Sequence, residues 1–156
     1  MDKLKISTAN LVILISGAVM LIASFLAFNK LSLPSISALG IKIGGTQSFN
    51  AWSSHFFLIA TIPALLGAVM AAQVAVTAFA PGVQLPERIL GLTWNQIHLV
   101  LALQATIMML AFLIRDTRPL DKGIGLFLMV LAAIALLVGA VLRMQESRNG
   151  SAPPAF

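Results

Sequence analysis

Few residues in this chain are of the types that bind metals or redox cofactors. There are two histidines, His55 and His98, and no cysteine among the 156 residues. The absence of cysteine excludes disulfides, thiol redox chemistry and Cys-ligated zinc or iron–sulfur clusters. The histidines fall at the ends of different apolar runs, on opposite faces of a membrane whose core is about 30 Å thick. One haem iron cannot bind both, so we expect interfacial histidines, no metal and no cofactor.

Polar residues inside the apolar runs are the other candidates for a site. Gln73 lies near the end of the second run, and Gln104 lies near the start of the third. In antiparallel helices these positions reach a similar depth, which predicts an interhelical hydrogen bond between the two glutamines. Such a bond contributes about 0.6 kcal/mol on average. A contact to a ligand, with Thr106 also in the lining, is the alternative.

The elements that carry these residues are long apolar runs. Hydrophobic residues make up 59% of the chain and charged residues 10%, whereas a soluble domain averages about 45–50% and 25%. Runs of roughly 20 apolar residues cross a bilayer as helices. The pattern predicts an all-α membrane protein in which residues 1–142 form an antiparallel bundle of four transmembrane helices. The predicted spans are 11–28, 56–80, 97–114 and 123–142, and the polar tail, 143–156, is predicted to be disordered.

The connections between the runs carry turn and cap signals. Residues 29–55 show strand-like alternation with glycines at turn positions, which predicts a small β-hairpin at the mouth of the bundle. Phe49 and Trp52, near its end, are expected at the membrane interface. Thr93 and Gln96 have the spacing of a capping box, which predicts that the third helix begins there.

No Asp, Glu, Lys or Arg lies inside any of the four predicted spans. Ion-coupled transport and proton relays normally need such a residue at depth. The sequence shows no nucleophile–base pair and no metal cluster, so we expect the protein not to be an enzyme. The net charge of +5 comes from basic residues beside the apolar runs. Lipid head groups explain these residues better than nucleic acid does.

Small residues recur every four positions on two of the predicted helices. Gly67, Ala71 and Ala75 form such a stripe on the second helix, and Ala135 and Gly139 form one on the fourth. Stripes of this kind let helix backbones approach closely. They predict either packing within the bundle or docking against another membrane protein, and the sequence does not separate the two.

Basic residues divide equally between the two sides of the predicted bundle, five on each. The positive-inside count therefore does not decide the orientation. Lys3 and Lys5, before the first span, favour cytoplasmic N- and C-termini in a multi-pass protein of the plasma membrane.

Three stretches resemble a group of uncharacterised small four-span membrane proteins of actinobacteria. They are 49–53 (FNAWS), 90–96 (LGLTWNQ), and 121–125 (DKGIG) together with 139–146 (GAVLRMQE). In actinobacterial envelopes, proteins of this shape resemble accessory subunits of larger complexes such as the mycobacterial Mce lipid importer. The resemblance implies an accessory role beside a larger integral membrane complex, and it carries no catalytic residue.

Together these features predict a non-enzymatic accessory subunit of a plasma-membrane complex, with envelope lipid transport as the best single guess. One alternative is a small carrier or binder that holds a lipid or apolar molecule within the bundle, with Gln73, Gln104 and Thr106 around its polar part. Another is an accessory subunit of a respiratory complex. Lipids are expected partners in each case.

Overall fold

The computed structural model describes residues 6–38, 41–53, 56–80 and 82–150 of the chain. The described part is mostly helical and includes small antiparallel sheets. A π-helical turn, Phe57–Thr61, leads into the second α-helix. The helices are α1 (Thr8–Ala23), α2 (Ile62–Phe79), α3 (Trp94–Ile114) and α4 (Ile124–Gly150). The strands are β1 (Asn29–Ala38), β2 (Ile41–Phe49), β3 (Arg88–Ile89), β4 (Leu92–Thr93) and β5 (Leu120–Lys122).

The four helices pack side by side, since α1 and α3 each contact both α2 and α4. Within the described ranges, three helices are long and apolar enough to cross a membrane: Leu58–Phe79, Trp94–Ile114 and Ile124–Asn149. Helix α1 has 16 residues, which corresponds to about 24 Å at 1.5 Å per residue. The prediction of membrane-spanning length is therefore confirmed for the last three runs, and α1 is a shorter apolar helix.

Helix α1 ends at Ala23, earlier than the composition of the first apolar run predicted. Phe28 is wholly buried and packs against Phe112 and Phe56, with ring centroids 4.7 and 5.6 Å away. The Phe28 N–H donates to the carbonyl of Phe49, at 2.7 Å, so the chain has already joined the sheet here. The apolar side chain of Phe28 covers the end of the helices instead of lengthening α1. The number of hydrophobic residues in a run does not show whether they lengthen a helix or cover its end.

Helix α4 continues past residue 142, where the apolar run ends, and reaches Gly150. Residues 143–150 are therefore helical, in contrast to the predicted disordered tail, and 151–156 lie outside the described residues. The extension packs on the start of α1, because the Ala9 N–H donates to Glu146 Oε1 at 3.3 Å. A carboxylate at a helix N-terminus is favourable for the unpaired N–H groups there. This contact explains why polar residues stay helical here.

A three-stranded antiparallel sheet, in the order β2–β1–β5, lies where α1 ends and α4 begins. Its β1–β2 hairpin confirms the strand prediction for residues 29–55. The third strand was not foreseen: β5 pairs with the first three residues of β1 and ties the third connection to the first. The register of β1 with β2 shifts between Leu33 and Ile36, around Pro34, which has no N–H to donate.

A second, two-stranded hairpin joins α2 to α3 at the opposite end of the helices. Strands β3 and β4 pair through Arg88 with Thr93 and Ile89 with Leu92, which leaves Leu90 and Gly91 as the turn. Both turn residues have positive φ, 52° and 80°. A two-residue hairpin turn of type I′ requires positive φ at both of these positions. Directly after it, Thr93 and Gln96 form the predicted capping box of α3.

Leu90→Asn is expected to stabilise the protein by about 1 kcal/mol. Leucine in the left-handed region costs roughly 1–2 kcal/mol, whereas asparagine tolerates it. Leu90 is 97% exposed, so its side chain makes little packing that could be lost. Denaturation in detergent measures the change, and Leu90→Ala is the matched control because alanine keeps the strain. Equal stabilities of the two variants would contradict the prediction.

Candidate functional site

Arg143 of α4 is the centre of a polar cluster between the helices, at the end opposite the three-stranded sheet. Its Nη1 donates to Gln73 Oε1 of α2, at 3.1 Å. The same nitrogen lies 3.0 Å from Nδ1 of His98 on α3. Arg143 comes one turn after the buried Gly139 and lies on the same face of α4. One guanidinium therefore links three helices.

The contact with Arg143 determines the tautomer of His98. A guanidinium has donors and no acceptor, so Nδ1 must accept and the imidazole is neutral with its proton on Nε2. His98 is 1% exposed, and its Nε2 is buried without a hydrogen-bond partner in the described part of the chain. An unmet buried donor of this kind is costly. The Nε2–H of His98 is thus a buried donor without an acceptor in the described part of the chain.

The predicted partner of Gln73 differs from the observed one. Gln73 is buried and bonded to Arg143, whereas Gln104 is exposed on the outside of α3. Gln73 is level with His98, since both contact Nη1 of Arg143, and Gln104 lies about two turns further along α3 with its side chain directed outward. Thr106, which the alternative placed with them, instead bonds to the carbonyls of Ala102 and Ala133, at 2.7 and 2.9 Å. These three residues do not line a common polar space.

Both histidines were predicted to lie at the membrane interface, and the structure describes only one of them, His98. His98 is buried between helices rather than lying at the interface, because its ring faces α4 and meets Arg143. His55 lies outside the described residues. No group of three or more His, Cys, Asp or Glu residues suited to a metal ion occurs within the described ranges.

Arg143 forms no direct ion pair in the described part of the chain, although the Glu146 carboxylate lies near enough to interact with its charge. Among the described residues, none places a carboxylate oxygen within the 4.0 Å of an ion pair with it. Glu146, one turn later, accepts from the start of α1. Asn10, on α1, also has a buried Oδ1 without a partner in the described part. Chemically, the cluster is a hydrogen-bond donor site with one positive charge and no visible nucleophile.

No protein-family model, curated protein or solved structure matches this chain. Function must therefore be inferred from the residues themselves.

The small residues predicted as docking points lie mostly inside the fold. A Cβ added to Gly67 would lie 2.9 Å from Sδ of Met20, and one added to Gly139 would lie 2.8 Å from Cγ1 of Ile13. Both neighbours belong to α1. The stripes thus let α2 and α4 approach α1 within this chain, which is the packing interpretation of the sequence pattern.

The remaining three positions, Ala71, Ala75 and Ala135, are all half-buried. Ala71 also faces α1, because its Cβ lies 2.7 Å from where a Cβ on Gly17 would be. Ala135 lines an apolar groove of about 320 Å³ between α1 and α4, on the outer surface, together with exposed residues such as Ile15 and Leu131.

Arg143 is the residue that sequence reasoning missed. It was assigned to the polar tail because it directly follows the apolar run. A helical pattern continued past residue 142 would have placed it on the face of Leu136 and Gly139, both of which are buried. That periodicity is the signal that could have found it.

Proposed function

We propose that this protein is a non-enzymatic accessory subunit of a larger plasma-membrane complex that transports lipids across the envelope. In this proposal all four helices cross the membrane as an antiparallel bundle, and both termini are cytoplasmic. Helix α1 is short for a span, but the turn at Ser24 and the buried Phe28 extend the apolar layer beyond it. Lys3 and Lys5 support the orientation.

The observation that carries the proposal is that α1 and the segment after it pack closely against α2 and α4. A Cβ added to Gly17 would lie 2.4 Å from the carbonyl oxygen of Gly67, so the backbones of α1 and α2 touch. The same holds where α4 begins, since a Cβ on Gly123 would lie 2.0 Å from the carbonyl oxygen of Ala27. A carrier needs space between its helices for its cargo. This close packing favours a protein that acts through its outer surface.

The sheet supplies a surface suited to a protein partner. In the described part of the chain β2 pairs only with β1, so its other edge borders no strand. Residues 44–48 of this edge strand are exposed, and their side chains are those of Thr46, Gln47 and Ser48. An open strand edge can accept a strand from another chain through main-chain hydrogen bonds. We assign the partner contact to this edge, on the outer side of the membrane.

A photo-crosslinking residue at Gln47, on β2, is expected to capture one large membrane protein in cells. The matched control is the same residue at Gln145, which is exposed near the other end of the helices. The captured protein, when tagged in turn, should recover this chain in mild detergent. Capture at both positions alike, or at neither, would contradict the accessory role. Recovery of the chain alone with a bound lipid would favour the carrier instead.

A further inference from the structure

A groove with a charged rim lies between the π-helical turn and the end of α3. One part, of about 250 Å³, is lined by Ile59, Met108, Ala111, Phe112 and Arg115. A second part, of about 220 Å³, continues from it under the sheet and shares Ile59, Phe112 and Arg115. The two parts share three lining residues and therefore adjoin, and we call them together the Arg115 groove.

Local backbone structure produces the apolar part of this groove. The π-helical turn Phe57–Thr61 has a wider helical spacing than α2, and such turns are frequent at functional sites. Its position is held by Thr61, whose buried hydroxyl donates to the carbonyl of Ala51 at 2.8 Å. On the facing helix, Ala111 is small and exposed. The wide turn and the short side chain together leave a channel that runs along α3.

The rim of the groove is formed where α3 stops. Arg115 leaves the helix with extended backbone, φ −60° and ψ 136°, directly after the apolar Ile114. Lys122 of β5 donates to the carbonyl of Leu113, which satisfies one of the last carbonyl groups of α3. In the described part of the chain the guanidinium of Arg115 makes no hydrogen bond to a carbonyl of its own helix. It lies at the boundary between apolar and polar surroundings.

The charges at the rim leave Arg115 uncompensated. Asp116 is engaged by Arg118, through an Nε–Oδ1 distance of 3.7 Å and a bond from the Arg118 N–H at 3.1 Å. In the described part of the chain no carboxylate lies within 4.0 Å of Arg115. Guanidinium groups bind phosphate through paired N–H donors. An apolar channel that ends at such a group matches a molecule with an acyl chain and a phosphate.

We propose that the Arg115 groove binds one anionic phospholipid from the surrounding leaflet. Its phosphate contacts Arg115, and one acyl chain lies along Ile59, Met108 and Phe112. The groove has room for the acyl chain, so the close contacts of α1 with its neighbouring helices need not change when the lipid binds. The site does not depend on the accessory role, because a lipid can bind here whether or not a partner contacts β2.

The test uses the full-length protein in neutral detergent, with phosphatidylglycerol as the probe and native mass spectrometry as the readout. One bound lipid per chain is expected. Arg115→Gln and Ala111→Leu should each weaken binding roughly tenfold, the first by removing the charge and the second by filling the channel. Arg88→Gln, the same charge change at an exposed position near the other end of the helices, should leave binding unchanged. Arg115→Lys should retain part of the affinity.

Controls separate the lipid from other sources of phosphate and from misfolding. Size-exclusion chromatography and circular dichroism establish that each variant is folded, and Ala111 is exposed, so its replacement is compatible with folding. Inorganic phosphate at millimolar concentration should not displace the lipid. Displacement, together with normal binding by Ala111→Leu, would show a plain anion site and overturn the proposal. Equal binding of phosphatidylcholine, or unchanged binding by Arg115→Gln, would overturn it as well.

Discussion

Gly17→Leu is expected to separate α1 from α2 and to produce a protein that inserts into membranes without its native tertiary structure. Even the first added carbon would lie 2.4 Å from the carbonyl oxygen of Gly67 and 2.7 Å from the Cβ of Ala71. The Gly67 contact is with backbone, which cannot rotate away as a side chain can. Overpacking costs about 1–3 kcal/mol where neighbours can shift. Gly17→Ala should reach that range, and leucine should exceed it.

Thermal unfolding in detergent and resistance to protease measure the Gly17 effect. Gly82→Ala is the matched control, because an added Cβ there has nothing within 4 Å, and its stability should change by less than about 0.5 kcal/mol. Gly139→Leu should behave like Gly17→Leu, since Val12 and Ile13 face it. A Gly17→Ala variant as stable as Gly82→Ala would show that α1 and α2 are not in close contact.

Arg143→Leu is expected to destabilise the protein by roughly 3 kcal/mol. It removes the donor shared by Gln73 and His98, both buried, and leaves two acceptors unsatisfied. Each unmet buried polar group costs about 1–3 kcal/mol. Arg148→Leu is the matched control, because Arg148 is exposed on the same helix, and its effect should stay within about 0.5 kcal/mol.

A triple-mutant cycle separates the contacts of Arg143 from a general effect of its charge. If the three side chains act as one unit, Gln73→Leu and His98→Leu combined with Arg143→Leu should recover much of the loss, because no acceptor then stays unpaired. Additive losses across the triple variant would contradict the shared hydrogen bonding. Equal unfolding of Arg143→Leu and Arg148→Leu would show that the cluster contributes nothing to stability.

Local signals predicted the features that depend on neighbours in sequence. The capping box at Thr93 and Gln96 follows from a spacing of three residues. The β1–β2 hairpin follows from alternation and glycine turns within residues 29–55. The pairing of β5 with β1 joins segments about 90 residues apart, and three residues carry too little pattern to identify a strand.

The candidate site was only half predictable for a related reason. Gln73 was recognised because a polar residue in an apolar run is visible in the sequence. Its partner was assigned to Gln104 by depth alone, and depth says nothing about which face of α3 points toward α2. Arg143 was overlooked because the end of the apolar run was taken as the end of the helix, whereas α4 continues to Gly150.

The sequence by itself determined that this chain carries apolar segments long enough to cross a membrane, where those segments lie, and which glycines and alanines permit close helix contact. These properties follow from hydrophobicity and steric size, which each residue carries in any surroundings. Only the tertiary structure decided that Gly67 and Gly139 contact α1 of the same chain, and that Gln73, His98 and Arg143 meet. The reason is that the rotation of each helix about its axis results from packing all four helices together.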